Sequence, residues 1–409
     1  MSRPVYVLGG AQTDFAVNFS RQQVEIDAIM RLALEGALDS TSIEPTDIEC
    51  AHVGNFTGEL FSHQGHLGGI FASLHPAFHG LPCSRHEAAC ASGSVAVLAA
   101  AADIECGRYD LACVLGVEQM RNVPGKVAAD YLAAAAWYGR EGEGATYLWP
   151  HMFSNLAEEY DQRYGLDYSH LMAIASKAFA NGKGNPNAQS RKWTFTEASF
   201  TADDEANPVV EGRIRRQDCG QVTDGAAAIF LATEDYARRY ASARGIALDS
   251  LPRILGWGHT TGTMMMATKL EASRGESGYM LPHLKNAIDD ARERADVGLD
   301  DIDAAEVHDC FSITEYMLTE HLGLTGPGQA YMAIDAGDTA MGGKLPINPS
   351  GGLIGGGHPV GASGVRMVLD AHKQVTGTAG DYQVGGAKRV QTVNIGGSAT
   401  TAVSFVVGT

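Results

Sequence analysis

Cys90 stands in the run His86-Glu87-Ala88-Ala89-Cys90-Ala91-Ser92-Gly93-Ser94, directly before an alanine- and valine-rich stretch of helical character. A cysteine at a helix N-terminus meets the positive end of the macrodipole and unpaired amides, which favour the nucleophilic thiolate. Its small neighbours let a substrate approach. A buried structural cysteine among alanines is the competing reading. The second candidate is His358, within Asn348-Pro349-Ser350-Gly351-Gly352-Leu353-Ile354-Gly355-Gly356-Gly357-His358-Pro359-Val360-Gly361-Ala362-Ser363-Gly364. The glycines permit a sharp bend and Pro359 suits the first helical position, so the imidazole is presented at a turn, where it could activate a thiol. A flexible loop with an incidental histidine is the alternative.

Two shorter runs could complete such a site. His308-Asp309-Cys310-Phe311 comes after a strand ending in Glu306-Val307, and the carboxyl end of a strand is where α/β folds place reactive groups. Asn394-Ile395-Gly396-Gly397-Ser398 offers glycine amides to a developing oxyanion, or is simply a turn.

The elements that must carry these runs alternate between strand and helix. Val5–Leu8 reads as a buried strand ending in a Gly9-Gly10 turn, Glu25–Leu38 as a helix, Val53–Gly54 as a strand end, Ala91–Ile104 as a helix and Leu111–Leu115 as a strand. Residues 121–211 loosen into aromatic and polar segments around helices at Phe153–Tyr164 and Ser169–Asn181, which we read as an inserted loop domain. Asp224-Gly225-Ala226-Ala227 opens another strand. From Arg253–Leu255 and Gly256-Trp257-Gly258 the opening theme recurs, followed by a helix at Pro282–Arg292, a strand ending at Val307, a helix from Pro359 and strands near Val390–Val393 and Thr401–Val407. The expected fold is α/β, with halves 1–120 plus 212–250 and 251–409 related by duplication around the 121–211 insert, and a cleft between them.

Composition narrows the function. The 409 residues carry 30 Lys+Arg against 48 Asp+Glu, a formal charge of −18, which argues against nucleic acid or an anionic membrane surface as partner. No apolar stretch has the length of a membrane span, the N-terminus lacks signal-peptide character, and the last residues form no peroxisomal address, so a cytoplasmic protein is expected. Seven cysteines with no CxxC pair indicate free thiols rather than a disulfide framework or structural metal site.

Taken in order, the four runs resemble the thiolase superfamily, particularly its sterol-carrier-protein-type members, over nearly the whole chain. The His358-Pro359-Val360-Gly361-Ala362-Ser363-Gly364 stretch is the most specific part. The resemblance implies a layered, duplicated α-β-α-β-α fold and an acetyl-CoA acyltransferase or acetyltransferase. Cys90 matches the family's acyl-accepting nucleophile and His358 the histidine that activates it. Many thiolases carry Asn-Glu-Ala-Phe at the third motif and a cysteine at the start of the fourth; here His308-Asp309-Cys310-Phe311 and Asn394 stand there, so the second catalytic cysteine is moved to Cys310.

The resemblance further implies (retro-)Claisen chemistry between acyl-CoA, CoA and acetyl-CoA, with Cys310 as acid and base. His358 and His308 would polarise the enolate-forming thioester, and the amides of Cys90 and Gly396 or Gly397 would hold the acyl oxyanion. CoA is substrate, and no metal or redox cofactor is called for. The run Arg213, Arg215 and Arg216 could bind the CoA phosphates or be a solvated face; Met152 could lie near the acyl group or in the core, and Met264–Met266 could line an acyl pocket or fill core. Two readings compete: a decarboxylating 3-oxoacyl synthase, using Cys90, His308 and His358 with Cys310 idle, and a degenerate acyl-CoA-binding scaffold. A homodimer or tetramer, and a small OB-fold partner protein, are expected on family grounds.

Overall fold

The computed structural model describes residues 3–275 and 277–409. Among these, one nine-stranded sheet contains β1 (Val5–Gln12), β2 (Cys50–Gly54), β3 (Cys83–His86), β4 (Leu111–Glu118), β5 (Gly225–Ala232), β6 (Arg253–Thr261), β7 (Ala304–Val307), β8 (Arg389–Gly396) and β9 (Thr401–Gly408). Their order is β3-β2-β4-β5-β1-β6-β9-β8-β7. β2 runs parallel to β3 and β4, while β4–β5 and β5–β1 are antiparallel. Likewise β7 runs parallel to β8 and, through one Ala305–Ile347 bridge, to the segment at Ile347, while β8–β9 and β9–β6 are antiparallel. The second set of strands repeats the first, with Ile347 standing where β3 stands. They join where Val5 faces Ile254 and Tyr6 faces Arg253.

The helices that matter are α1 (Ile26–Thr41), α2 (Ser92–Glu105), α3 (Leu148–Tyr164), α4 (Tyr168–Gly182), α5 (Glu234–Arg244), α6 (Pro282–Ala295), α7 (Ser312–His321) and α8 (Val360–Thr376). α1 and α5 bury their apolar faces on the outer side of the first half. α2 and α8 fill the middle, packed on strands of both halves. α3, α4, α6 and α7 cover the outer side of the second half. This is the α-β-α-β-α layering expected. α3 and α4, from the segment read as an insert, share that last core with α6 and α7.

α2 is nearly free of charge, with polar residues only at its ends, as a helix buried between layers must be. It crosses α8 at glycines. A Cβ on Gly364 would lie 2.3 Å from Ser94 N and Oγ, and one on Gly93 would lie 2.7 Å from Gly361 O. The crossing distance therefore depends on missing side chains.

Two expectations of turns are corrected. Gly9-Gly10 and Gly256-Trp257-Gly258 lie inside β1 and β6. The glycines are there for close approach: a Cβ on Gly10 would meet Ala228 O at 1.9 Å, and one on Gly258 would meet Ala287 O at 1.8 Å.

Candidate active site

The segment between β3 and α2 is pinned by side chains that satisfy its free amides. Ser92 Oγ accepts from Ala88 N–H at 2.9 Å and donates to Ala89 O, and Glu87 accepts from Ala89 N–H. Ala89 is left with φ +52°, a left-handed conformation unusual for a residue with a Cβ. Cys90 comes next, in the middle of the short helical turn Ala89–Ala91 that runs into α2. Its thiol is pushed up to about 12, chiefly by burial, against hydrogen bonds from the Gly397 amide and its own amide. This corrects the expectation of a resting thiolate: desolvation outweighs the helix N-terminus, so the proton must leave as the sulfur attacks.

Gly397 borders the same cavity as Cys90, and the turn after β8 sets which way its amide faces. Gly396 O accepts from Thr400 N–H at 2.9 Å, so the N–H of the same peptide unit, that of Gly397, faces the opposite way. Gly397 takes φ +61° and Ala399 φ +58° within this turn.

Two histidines complete the centre. The sulfur of Cys90 and ring nitrogens of His308 and His358 lie within 4.8 Å of one another, and the rings meet edge-on at 5.2 Å. His358 enters just before α8, its backbone N–H held by Thr223 Oγ1. Its Nδ1 is 2.7 Å from Ser363 Oγ, whose hydroxyl donates to Pro359 O. With that proton committed, the hydroxyl accepts from Nδ1–H, and the buried, unpartnered Nε2 keeps its lone pair. His308 is set the other way. Ser94 Oγ donates to Asn394 Oδ1, and Asn394 Nδ2 donates to His308 Nδ1 at 3.1 Å, so its proton sits on Nε2. Burial lowers His358 to about 3, with Arg366 adding to the effect, and lowers His308 well below the ordinary range. Both rings are neutral, one offering a lone pair and the other an N–H.

Cys310 precedes α7, whose first residue Ser312 is fixed by Asp218. Burial raises its thiol, the nearby Cys90 raises it further, and Thr314 at 3.8 Å opposes the shift. Asp309 turns inward and accepts Leu353 N–H at 2.6 Å, which ties this motif to the glycine loop ahead of His358. Beneath that loop the buried Arg366 bridges Glu306 and Asp370 at 2.8 and 3.0 Å.

Cys90, Cys310, His358 and Gly397 border one cavity of about 590 Å³, walled mainly by apolar side chains including Phe56, Leu132, Trp149, Phe153 and Phe311. His308 is buried and is not among the residues that border the cavity, though one of its ring nitrogens lies within 4.8 Å of the Cys90 sulfur. Gly396 borders a neighbouring hollow and contributes its carbonyl to the turn. The arginine run divides: Arg216 lines the cavity, whereas Arg213 pairs with Glu158 and Asp161 and Arg215 with Asp204, off its wall. Met152 points into the core and a different hollow, and its neighbour Phe153 takes the cavity position. Met264, Met265 and Met266 border other hollows. Sequence reasoning missed the orienting pair Ser363 and Asn394, and Lys126 on the cavity wall. The Cys90, His308 and His358 trio has donors of the type a zinc ion takes, as does a second trio, Cys50, His52 and Asp103, outside this cavity. All seven cysteines are free thiols.

Among the described residues no helix is long and apolar enough to cross a membrane. Residues 5–235 match the family described as thiolase, N-terminal domain, and residues 266–409 match thiolase C-terminal domain-like. An acetyl-CoA acetyltransferase of Methanothermobacter thermautotrophicus is 31% identical over 409 residues, covering 99% of each chain. Sterol carrier protein 2 of Gallus gallus is 30% identical, covering 100% of this chain and 72% of that protein. Among solved structures, an Ltp2-ChsH2(DUF35) aldolase superposes with TM-score 0.76 at 20% identity, covering 99% and 97% of the two chains. Human mitochondrial 3-ketoacyl-CoA thiolase superposes with TM-score 0.71 at 17% identity, covering 100% and 99%. The solved structures share the fold, the sequence matches span both halves, and the chain belongs to the thiolase family of acyl-transferring enzymes.

Proposed function

We propose that the chain transfers an acyl group between CoA and acetyl-CoA through an acyl-Cys90 intermediate, with Cys310 as the acid and base at the second carbon. The observation that carries this reading is the meeting of Cys90, Cys310 and His358 on one cavity wall. In the degradative direction His358 Nε2 takes the Cys90 proton as the sulfur attacks the keto carbon of a 3-oxoacyl-CoA. The carbon–carbon bond breaks, and the departing acetyl-CoA enolate takes the Cys310 proton. The thiol of free CoA then releases the acyl group from Cys90. In the synthetic direction Cys310 withdraws the α-proton of acetyl-CoA and the enolate attacks acyl-Cys90.

Each step builds charge on an oxygen. The Gly397 and Cys90 amides suit the oxyanion at the acylated carbon, and His308 Nε2–H suits the enolate oxygen; loss of one such donor costs on the order of 100- to 1000-fold in turnover. The apolar wall suits an acyl chain, and Lys126 and Arg216 suit the CoA phosphates. A decarboxylating condensing enzyme needs the cysteine and two histidines only, and the place of Cys310 on the same wall favours the thiolase reading over it. For assembly we put forward a homodimer or dimer of dimers, with a small partner of the DUF35 kind named in the aldolase complex to be sought by co-purification.

The test is thiolysis of acetoacetyl-CoA by CoA, with the intact protein mass as a second readout. Cys90→Ala should take up no acetyl group. Cys310→Ala should be acetylated by acetyl-CoA yet fail to cleave acetoacetyl-CoA. Full thiolysis by Cys310→Ala, or strict dependence on malonyl thioester, overturns the proposal.

A further inference from the structure

Lys269 is a buried charge with no part in the acyl transfer. It lies in the short helix Met266–Ala272 and is 5% exposed. Its Nζ donates to Ser398 O at 2.6 Å, Ser398 Oγ at 2.8 Å and Thr400 Oγ1 at 2.9 Å. All three acceptors belong to the turn that presents the Gly397 amide to Cys90. Ser398 Oγ donates in turn to Met264 O, and His283 Nε2 lies 2.7 Å from Ala399 O, so the turn is gripped at successive carbonyls.

The grip has a directional effect. A turn with left-handed residues at 397 and 399 has several accessible shapes, and a peptide unit that flips carries its N–H to the opposite face. With the Ser398 and Ala399 carbonyls drawn toward Lys269 and His283, and the Gly396 carbonyl closed onto Thr400 N–H, the peptide unit that carries the Gly397 N–H and the two units that follow Ser398 and Ala399 are held. A lysine is costly to bury, and desolvation lowers this one to about 7. Among the described residues Glu141 favours its charge, and the ammonium is held mainly by the turn's own oxygens.

We propose that Lys269 is a positioning residue: it holds the Gly396–Thr400 turn so that the Gly397 amide faces the oxyanion formed at acyl-Cys90. The proposal rests on the acyl-Cys90 intermediate. It predicts a selective defect, because attack on a thioester builds an oxyanion and alkylation of the same sulfur does not.

The experiment compares Lys269→Met with the parent chain in two reactions of Cys90: acetylation by acetyl-CoA in single turnover, and alkylation by iodoacetamide, both tracked by the mass of the Cys90 peptide. Acetylation should fall on the order of 100-fold, the loss seen for one oxyanion donor. Alkylation, which loses the Gly397 amide's bond to the sulfur and no oxyanion donor, should fall by no more than about 10-fold, the effect of one hydrogen bond. In steady state the loss should fall on kcat rather than KM. Thr400→Val, which removes one acceptor and leaves the lysine in place, should show the same selectivity at roughly 3- to 10-fold, and it decides the matter if Lys269→Met does not fold. Unchanged acetylation, or equal loss of both reactions, overturns the role of Lys269 while leaving the acyl-cysteine reading intact. A parent chain that cannot be acetylated at Cys90 overturns that reading and the proposal with it.

Discussion

Gly364→Ala tests whether the spacing of the two central helices sets the reactive geometry. The new Cβ would lie 2.3 Å from Ser94 N and Oγ and 2.7 Å from Asn394 Oδ1, against about 3.4 Å for ordinary contact. The shortfall is about 1.1 Å, and the neighbours are helix backbone and the amide that orients His308, so relief requires α2 and α8 to separate by that amount. Overpacking of this kind costs about 1–3 kcal/mol of stability. The kinetic cost should be larger in proportion. Cys90 leads into α2 and His358 leads into α8, so parting the helices parts the thiol from its base, and a 1 Å misplacement costs about 100-fold. Gly377→Ala is the control: it caps the same helix at φ +71° with open space around it, so it should lose about 1 kcal/mol and no activity. Single-turnover acetylation and denaturant unfolding measure the two effects separately. A folded Gly364→Ala enzyme that acetylates within about threefold of the parent rate would refute helix spacing as the determinant.

Ser363→Ala frees His358 to place its proton on Nε2, and should slow acetylation about 10-fold, the upper range of one hydrogen bond, with little change in KM; an unchanged rate refutes the proton placement. Since burial lowers His358 to about 3 and raises Cys90 to about 12, the pair stays as neutral imidazole and neutral thiol from pH 5 to 8. Acetylation should therefore show no histidine limb there, and an inflection near the ordinary histidine value, absent in His358→Asn, would contradict it. Arg366→Met leaves Glu306 and Asp370 buried without their shared partner and should cost about 3–5 kcal/mol in denaturant unfolding. A variant of parent stability would show that those carboxyls do not need the guanidinium.

The reactive residues were legible because their types are few and their neighbours constrain the backbone: Cys90 before a helix of small residues, His358 among glycines and ahead of Pro359, Cys310 at a strand end. The residues that orient them were not. Ser363 lies in the most specific motif, yet only the helix geometry shows that five positions bring it back to His358, and Asn394 stands in the sequence only as the head of a glycine turn, where many thiolases carry cysteine. Arg213 and Arg215 read as free cations because their carboxylates, Glu158, Asp161 and Asp204, come from other segments. Met152 misses the cavity by one residue, since neighbours on a helix point about 100° apart and Phe153 takes that direction instead. Lys269, alone in a mixed helix, looks like any solvated lysine. The glycines of β1 and β6 were misread as turns because local propensity cannot register a neighbouring backbone that leaves no room for a Cβ.

The mirrored strand order has a consequence for inheritance. The corner before α2 and the corner before α8 occupy equivalent posts in the two repeats, one furnishing sulfur and the other imidazole. A gene cut between the repeats would yield one product with a nucleophile and nothing to deprotonate it, and another with the base and no thiol to serve. The two copies are free to drift in their outer layers, but at the glycine crossing where they touch, a change in either is felt by both.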